Sequence, residues 1–252
     1  MTFDVAAEAY DRFMGRYSRP LAPLFASFAG VAHGQRVLDV GAGPGALTQE
    51  LVLRVGAPSV AAAEPSEPFV VALRDRLPGV RVEQSAAEHL PFPDTSFDVA
   101  MAQLVVHFMT DPVAGLREMA RVTVADGGVA ACVWDHASDR GPLGVFWSAA
   151  RALEPGVHDE SKLAGAREGH LGELFASAGL RDIESTVLNV RVEHPSFEEW
   201  WEPFTLGVGP AGAYTAALDP DQRGRLRELC RERLPNEPIV VTAAAWAAKG
   251  RT

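Results

Sequence analysis

The feature that most constrains the fold is a short apolar run that ends in a glycine-rich turn. Residues 36–40 (RVLDV) have the pattern of a buried strand, and residues 41–45 (GAGPG) follow without a break. Residues 46–55 then place Leu47, Leu51 and Val55 on one face of a helix. A strand, a glycine turn and a helix in this order predict a nucleotide cradle, because glycines allow close backbone approach and helix N-terminal amides point toward a ligand.

Two acidic residues beside this turn indicate what kind of nucleotide it binds. Glu64 ends the next predicted strand, residues 59–63, where an acid accepts hydrogen bonds from the ribose hydroxyls of a nucleoside. Asp39 precedes the turn and suits a cationic sulfonium or ammonium better than a pyrophosphate, although tying down the turn amides is an alternative role. The turn also satisfies the dinucleotide pattern, so an NAD-dependent dehydrogenase stays an alternative at this point.

Apolar runs and amphipathic helices continue to alternate along the chain. Strands are predicted over residues 80–82, 97–104 and 129–134, with helices over residues 67–77 and 111–124. Further helices are predicted over residues 168–178 and 219–234, and extended segments over residues 183–192 and 239–248. Continuous apolar strands alternating with helices predict a doubly wound, Rossmann-like α/β fold, in which helices cover both faces of a mostly parallel sheet.

Composition narrows the class of protein. Hydrophobic residues make up 47% of the 252 and charged residues 22%, as in ordinary globular proteins. The net charge of −10 argues against broad binding of a phosphate backbone, and no apolar run approaches the ~20 residues that span a bilayer. The two cysteines, Cys132 and Cys230, have no metal-ligand spacing. We therefore expect a cytoplasmic protein, monomeric or homodimeric, with no metal and no nucleic-acid or membrane partner.

Three stretches together resemble the class I S-adenosylmethionine-dependent methyltransferases, in the small-molecule branch related to the ubiquinone and menaquinone methyltransferases. They are residues 37–45 (VLDVGAGPG), residues 63–66 (AEPS) and residues 87–98 (AEHLPFPDTSFD). Residues 116–122 with Gly127 and Gly128 extend the resemblance, which covers roughly residues 35–135. A dehydrogenase has no reason to repeat the later stretches, so the resemblance favours a methyltransferase.

The resemblance implies a fold, a cofactor and the residues that bind it. The fold is a seven-stranded, mostly parallel sheet with an antiparallel last strand and a helical, aromatic cap. The cofactor is S-adenosyl-L-methionine, with its methionine part at the glycine turn and its ribose at Glu64. The implied cofactor-binding residues are Tyr17, Asp39, Gly41, Ala42, Gly43, Gly45, Glu64, Pro65, Ala87, Glu88, Gln103 and Leu104.

One position departs from the family pattern. Ala86 stands where many relatives have an aspartate that contacts the adenine amino group. Adenine recognition is then expected to depend on backbone groups near Ala87 and Glu88, and on apolar packing from Pro65 and Leu90.

The resemblance also implies how the chain is organised. We expect a single domain over residues 1–252, made of an N-terminal helical arm or lid over residues 1–30 and a cofactor-binding core over residues 31–136. Residues 137–252 supply the remaining strands, with a cap insertion at about 195–235. Simple packing of the aromatic side chains of the arm onto the body is the alternative to a lid.

The expected reaction is methyl transfer to an oxygen, nitrogen or carbon atom of a small, apolar or aromatic acceptor. It is an in-line displacement, in which the protein aligns the reactants and excludes water. The expected acceptor pocket is lined by Tyr10, Phe13, Trp134, His136, Trp147 and Trp200. His107 is the candidate catalytic residue. The alternative is that His107 is a helix residue whose side chain bonds a backbone carbonyl. A non-catalytic protein that binds the same cofactor competes with this interpretation, and so does a methyltransferase that acts on RNA or protein.

Overall fold

The computed structural model describes residues 7–252, and a single seven-stranded sheet forms its centre. The strands are β1 (Val37–Val40), β2 (Val60–Glu64), β3 (Arg81–Gln84), β4 (Phe97–Gln103), β5 (Thr123–Trp134), β6 (Arg181–His194) and β7 (Ile239–Arg251). Their order across the sheet is β3-β2-β1-β4-β5-β7-β6. The first five strands are parallel, and β7 runs antiparallel to both β5 and β6. The predicted fold class is therefore confirmed.

Helices cover both faces of the sheet. They are α1 (Ala7–Tyr10), α2 (Arg16–Ala29), α3 (Ala46–Val55), α4 (Glu67–Arg76), α5 (Pro112–Val122), α6 (Gly144–Leu153), α7 (His170–Ala178), α8 (Phe197–Trp201), α9 (Gly209–Ala217) and α10 (Pro220–Arg233). A π-helical segment (Asp11–Gly15) joins α1 to α2, and a short 3₁₀ helix (Val106–Phe108) follows β4. Within residues 7–252, no helix combines the length and apolarity needed to cross a membrane.

The central strands are apolar along their whole length because both of their faces are covered. Every residue of β1 and β2 is buried. The helix α5 begins as its sequence predicts, since the Asp111 carboxylate accepts a hydrogen bond from the Ala114 amide at 3.0 Å. It ends at Val122, and β5 starts at the next residue, earlier than predicted, because Thr123 already lies opposite Phe97 of β4.

The N-terminal arm lies across the sheet as a helix and packs against α3 and β6. The predicted arm began at residue 1, and its first six residues lie outside the described part of the chain. Pro20 and Pro23 lie inside α2. The helix continues through them because its inner face, which includes the fully buried Phe25, packs on the body. It ends at Gly30, whose left-handed conformation (φ +77°) forms the cap.

The cap region at about 195–235 contains α8, α9 and α10, and α10 packs against α6. Its aromatic side chains pack against α6. The rings of Phe146 in α6 and Phe204 in the cap region stack, with their centroids 4.5 Å apart. Phe146 and Trp147 both belong to α6, and both are buried.

Candidate functional site

The glycine turn after β1 depends on glycine at two close approaches. Gly41 has a φ of +67°, and a Cβ atom there would lie 2.5 Å from the Val105 methyl groups. Gly45 has a φ of +99°, and a Cβ atom there would lie 2.5 Å from Leu73 Cδ1. A Cβ atom on Gly43 would meet nothing within 4 Å, so this part of the turn borders open space. The turn thus packs tightly against the protein at Gly41 and Gly45 and borders open space at Gly43.

The Glu64 carboxylate ties the end of β2 to this turn. Only 5% of Glu64 is exposed, and its two oxygens accept hydrogen bonds from the Gly43 and Ser66 amides, each at 2.8 Å. Burial raises the pKa of the carboxyl, and the two amides oppose that rise. Each oxygen keeps a second lone pair, with which the carboxylate can accept hydrogen bonds from a ligand in the cavity beside it.

Asp39 is a buried carboxylate that the protein satisfies on one side only. Its Oδ2 accepts a hydrogen bond from the Thr48 hydroxyl at 2.6 Å, whereas its buried Oδ1 has no partner. Burial raises its pKa to about 7, Glu64 adds to the rise, and the Thr48 bond opposes it. A positively charged ligand in the adjoining cavity would give Oδ1 the partner that the protein does not supply.

The two carboxylates line one cavity of about 280 Å³ at the C-terminal ends of the parallel strands. Of the predicted cofactor-binding residues, those that line it are Asp39, Gly41, Ala42, Gly43, Glu64, Pro65, Ala87, Glu88, Gln103 and Leu104. Sequence reading missed Ser18, Phe69, Met109 and Thr110. No motif marks these four, because they come from α2, α4 and the loop after β4 and meet only in the folded chain.

Pro65, Phe69 and Met109 are among the apolar residues that line the cavity. Ala86 also lines it and offers no side-chain hydrogen-bonding group. The neighbouring Glu88 carboxylate accepts hydrogen bonds from the Thr110 amide at 2.7 Å and from the Asp111 amide at 3.2 Å. Leu90, expected to pack against the adenine, is instead part of the core beneath the cavity and is absent from its lining.

The residues at the end of β4 lie next to two cavities, the one described above and a smaller one beside it. Gln103 donates a hydrogen bond through Nε2 to the Ser18 carbonyl at 3.1 Å, so it links the sheet to α2. Leu104 has a φ of +63°, which is unusual for a branched side chain. Its amide donates to the Cys132 carbonyl at 2.8 Å, which holds the strained backbone in place. The Leu104 side chain lines both the larger cavity and a smaller chamber beside it.

Two predicted cofactor-binding residues lie elsewhere. The Tyr17 hydroxyl is 2.7 Å from His194 Nε2, and the ring packs edge-on against Trp134. Because Arg16 Nη1 donates to His194 Nδ1 at 2.9 Å, His194 Nε2–H donates to the Tyr17 oxygen. Tyr17 thus joins α2 to β6 and lies outside the lining of the cavity. Gly45 faces away from the cavity as well, toward Leu73 of α4.

The smaller chamber, of about 40 Å³, is lined by aromatic and aliphatic side chains together with two histidines and a glutamate. Tyr10, Phe13, Trp134 and His136 from the predicted acceptor pocket line it, and so does His107. Tyr10, Leu104 and Phe108 line both spaces, so the chamber adjoins the larger cavity. We call this smaller space the acceptor chamber.

Two predicted acceptor-pocket residues lie behind this chamber. Trp147 donates a hydrogen bond through Nε1 to Glu160 Oε2 at 2.8 Å, so it supports the chamber wall from outside. Trp200 packs in the cap against Phe197 and Phe204. Glu160 lines the chamber, and sequence reading missed it because it lies in a stretch without a motif.

Burial shifts the pKa values of the two histidines and of Glu160 in the chamber, each in the direction that favours the neutral form. Burial and the neighbouring His136 lower the pKa of His107 well below its usual range. Burial lowers the pKa of His136 to about 4, against the opposing effect of Asp135 and Asp159. Burial raises the pKa of the Glu160 carboxyl to about 7. Near neutral pH both imidazoles therefore keep a free lone pair.

Comparison with known proteins agrees with this geometry. Residues 38–132 match the family described as a methyltransferase domain. The chain is 32% identical over 132 residues to the malonyl-[acyl-carrier protein] O-methyltransferase of Halorhodospira halophila, which covers 51% of this chain and 45% of that protein. It is 37% identical over 108 residues to the ubiquinone/menaquinone biosynthesis C-methyltransferase of Idiomarina loihiensis. This aligned region covers 40% of this chain and 43% of that protein. The chain spans about half the length of the curated relatives it matches.

Solved structures share the fold over nearly the whole chain. The YcgJ protein of Bacillus subtilis superimposes with a TM-score of 0.58 at 20% identity, covering 94% of this chain and 98% of that one. The glycine turn and the acid after the second strand lie within the matched family region. Residues 38–132 therefore match a methyltransferase domain, and they contain the stretches on which the sequence analysis based its resemblance.

Proposed function

We propose that the protein binds S-adenosyl-L-methionine in the 280 Å³ cavity and transfers its methyl group to a small apolar or aromatic molecule in the acceptor chamber. The observation that carries the proposal is the pair of buried carboxylates beside one glycine turn. Asp39 keeps an unpartnered oxygen, and Glu64 keeps free lone pairs, in a single cavity.

The chemistry of the lining fits each part of this cofactor. Its ribose hydroxyls are donors for the Glu64 carboxylate, which accepts only two backbone amides at 2.8 Å. Its positively charged ammonium and sulfonium suit the side of the cavity where Asp39 is buried. Its adenine is flat and largely apolar, as are the walls that Pro65, Phe69 and Met109 provide.

The open space at Gly43 supports the same assignment. A nucleoside needs room where the turn amides face it, and a Cβ atom on Gly43 would meet no protein atom within 4 Å. Since Ala86 carries no acid, adenine recognition depends on backbone groups near Ala87 and on apolar contact.

The protein's part in the reaction is positioning and exclusion of water. Bound in this cavity, the cofactor supplies a methyl group that its positive sulfur already activates. Leu104 and Phe108 line both spaces, so the acceptor chamber lies next to the cofactor cavity. Tyr10 of the arm also lines both, so the arm acts as a lid over the point where they meet. His107 lies in the chamber wall, where an acceptor proton is within its reach.

The chamber also bears on the class of acceptor. Its walls include Tyr10, Phe13, Phe108 and Trp134, which favour an apolar or aromatic molecule. The two relatives compared above are named for transfer to oxygen and to carbon, so their names alone leave the acceptor atom open. The net charge of −10 disfavours RNA as the acceptor.

The first test is calorimetric binding of S-adenosylhomocysteine to the wild type and to Glu64→Gln. We expect the variant to bind at least tenfold more weakly, because a neutral amide replaces a charge-assisted acceptor worth about 1–3 kcal/mol. The matched control is Glu67→Gln, at an exposed position at the start of α4, which is expected to bind as the wild type does. Equal affinities in all three proteins would remove Glu64 from the site.

The second test asks whether the protein is an enzyme. A metabolite extract is incubated with protein and cofactor, and mass spectrometry searches for a metabolite that gains one methyl group. Binding of S-adenosylhomocysteine without any methylated product would favour a non-catalytic cofactor-binding protein. A melting temperature raised by NADH and not by S-adenosylhomocysteine would favour a dehydrogenase.

A further inference from the structure

Three side chains with metal-ligating atoms meet in the wall of the acceptor chamber. His107 lies on the 3₁₀ helix after β4, His136 follows β5, and Glu160 lies in the segment between α6 and α7. All three are buried, and one nitrogen or oxygen atom from each lies within 4.8 Å of the others. Neither histidine nor Glu160 forms part of the glycine turn or of the cofactor cavity.

One ring nitrogen of each histidine is buried without a hydrogen-bond partner. They are Nδ1 of His107 and Nε2 of His136. The two rings have centroids 5.9 Å apart and planes inclined at 57°. Buried polar atoms in folded proteins nearly always have a partner, so two unpartnered imidazole nitrogens in one chamber indicate a missing ligand.

The carboxylate is held in place from behind. Trp147 Nε1 donates to Glu160 Oε2 at 2.8 Å. The preceding residue, Asp159, accepts hydrogen bonds from the Ser161 amide at 3.0 Å and from Arg151 Nη1. These contacts restrain the segment that carries Glu160 on both sides, so the carboxylate stays in the chamber wall.

The loop that carries His136 is restrained as well. Asp135 is fully buried and accepts hydrogen bonds from the Ser138 amide at 3.1 Å and from Arg140 Nε at 2.6 Å. A metal-binding group needs ligands held close to their bound positions by surrounding hydrogen bonds, and this arrangement supplies such support.

The donor set selects the class of ion. Two imidazole nitrogens and one carboxylate oxygen suit borderline divalent transition metals such as Zn²⁺ and Fe²⁺, whereas Mg²⁺ and Ca²⁺ prefer oxygen ligands alone. Imidazoles bind such metals through a ring nitrogen in the neutral form. Three protein ligands leave at least one coordination position free.

We propose that His107, His136 and Glu160 form a site for one divalent transition-metal ion of the Zn²⁺ class, with a free coordination position facing the acceptor chamber. Zn–N distances are about 2.0–2.1 Å, so binding draws the three side chains closer together than they lie now. An oxygen or nitrogen donor of the acceptor is the group that fills the free position; this part of the inference rests on the proposed function. The sequence analysis predicted no metal, because residues from three separate segments form no spacing motif.

The alternative is a hydrogen-bonded relay in which the two histidines pass a proton to Glu160. A relay needs hydrogen bonds between its members, and His107 Nδ1 and His136 Nε2 have no such partner. The geometry therefore favours a shared ion over a shared proton.

The test uses the full chain, stripped of metal with a chelator and then titrated with Zn²⁺ against a chromophoric chelator. We expect one zinc ion per chain, retained through gel filtration and counted by mass spectrometry. His136→Ala and Glu160→Gln are each expected to weaken zinc binding at least 100-fold. Glu160→Gln keeps an oxygen that accepts the Trp147 hydrogen bond, so this variant is expected to fold, and its melting curve checks that.

The matched control is His33→Ala, because His33 is exposed. It is expected to bind zinc as the wild type does. A wild-type chain that retains no zinc would overturn the proposal, and so would a folded Glu160→Gln that binds zinc with wild-type affinity. Loss of zinc in His33→Ala equal to that in His136→Ala would also overturn it, because binding would then be general to surface histidines.

A spectroscopic measurement tests the ligand set independently. Co²⁺ bound in place of Zn²⁺ at low coordination number absorbs visible light, and Glu160→Gln is expected to lose or shift that absorption. Titration of S-adenosylhomocysteine into the same samples separates this inference from the proposed function. If the chain binds S-adenosylhomocysteine normally but binds no zinc, only the metal site is refuted. If it binds zinc but does not bind S-adenosylhomocysteine, only the cofactor assignment is refuted.

Discussion

The cofactor cavity and the acceptor chamber share Tyr10, Leu104 and Phe108, yet they are built in different ways. The cavity is formed mainly by consecutive loops at the ends of β1, β2 and β4, within residues 38–132. The chamber draws on the arm, the ends of β4 and β5, the segment before α7 and the start of α9. Backbone geometry defines the first and side chains from distant segments define the second, so only the first is encoded by a local motif.

The two regions also differ in their charge. Asp39 and Glu64 make the cavity side of the sheet acidic, and Asp39 Oδ1 lacks a protein partner. The chamber contains neutral imidazoles and aromatic rings instead. The first region is therefore suited to a positively charged nucleoside, and the second to an uncharged molecule or to a metal ion held by two imidazoles and the Glu160 carboxylate.

The largest expected effect concerns the buried charge of the cavity. Burial raises the pKa of Asp39 to about 7, so the folded protein keeps this carboxyl protonated up to about that pH. The carboxyl of an aspartate in the unfolded chain has a pKa near 3.9. The folded state then binds the extra proton between these values, so the free energy of unfolding falls as the pH rises from about 4 to 7, by on the order of 4 kcal/mol. Urea denaturation across this range measures it.

The matched variant for this prediction is Asp39→Asn. An amide does not titrate, so the variant is expected to lose this part of the pH dependence. At pH 8 its unfolding free energy is expected to exceed that of the wild type without a ligand, and its affinity for S-adenosylhomocysteine to be lower. An unchanged pH slope in Asp39→Asn would assign the dependence to other groups.

The next effect tests the backbone geometry of the cavity. Gly41→Ala is expected to lower the unfolding free energy by about 2–3 kcal/mol, because a Cβ atom there would lie 2.5 Å from the Val105 methyl groups. Gly34→Ala is the control: it has a φ of +90° but no atom within 4 Å of the added Cβ. It is expected to cost about 1 kcal/mol, the cost of the left-handed conformation alone. Equal losses in the two variants would contradict the close approach.

A smaller effect is expected on the chamber side. Trp147→Phe removes the donor to Glu160, and we expect a loss of about 1–2 kcal/mol in unfolding free energy. Trp246→Phe is the matched control, because Trp246 Nε1 has no hydrogen-bond partner to lose. Affinity for S-adenosylhomocysteine is expected to stay unchanged in both variants. A tenfold loss of that affinity in Trp147→Phe would mean that the two regions are not independent.

The smallest effect concerns Tyr17, which sequence reading assigned to the cofactor. Tyr17→Phe removes the hydroxyl that lies 2.7 Å from His194, and we expect a loss of about 1 kcal/mol in unfolding free energy. Calorimetry is expected to find the wild-type affinity for S-adenosylhomocysteine. A clear loss of affinity would instead place Tyr17 at the cofactor, as the sequence analysis predicted.

The sequence predicted the cavity better than the chamber for a physical reason. Gly41, Asp39 and Glu64 act through neighbours in the chain or at the adjoining strand end, so their spacing carries the information. Trp147 and Trp200 were assigned to the pocket from their aromatic character alone, and both lie behind it. Glu160 was missed because nothing near it in the chain signals where its side chain lies.

Local pattern and backbone chemistry were sufficient to determine the fold class and the order of the central strands and helices along the chain. The resemblance of three stretches indicated the methyltransferase family, whose domain residues 38–132 match. Only the tertiary structure decided which side chains meet in the chamber, where Tyr17 points and how His107, His136 and Glu160 come together. Strand and turn propensities depend on neighbours along the chain, whereas contacts between distant segments depend on how helices pack on the sheet, which no short stretch of sequence encodes.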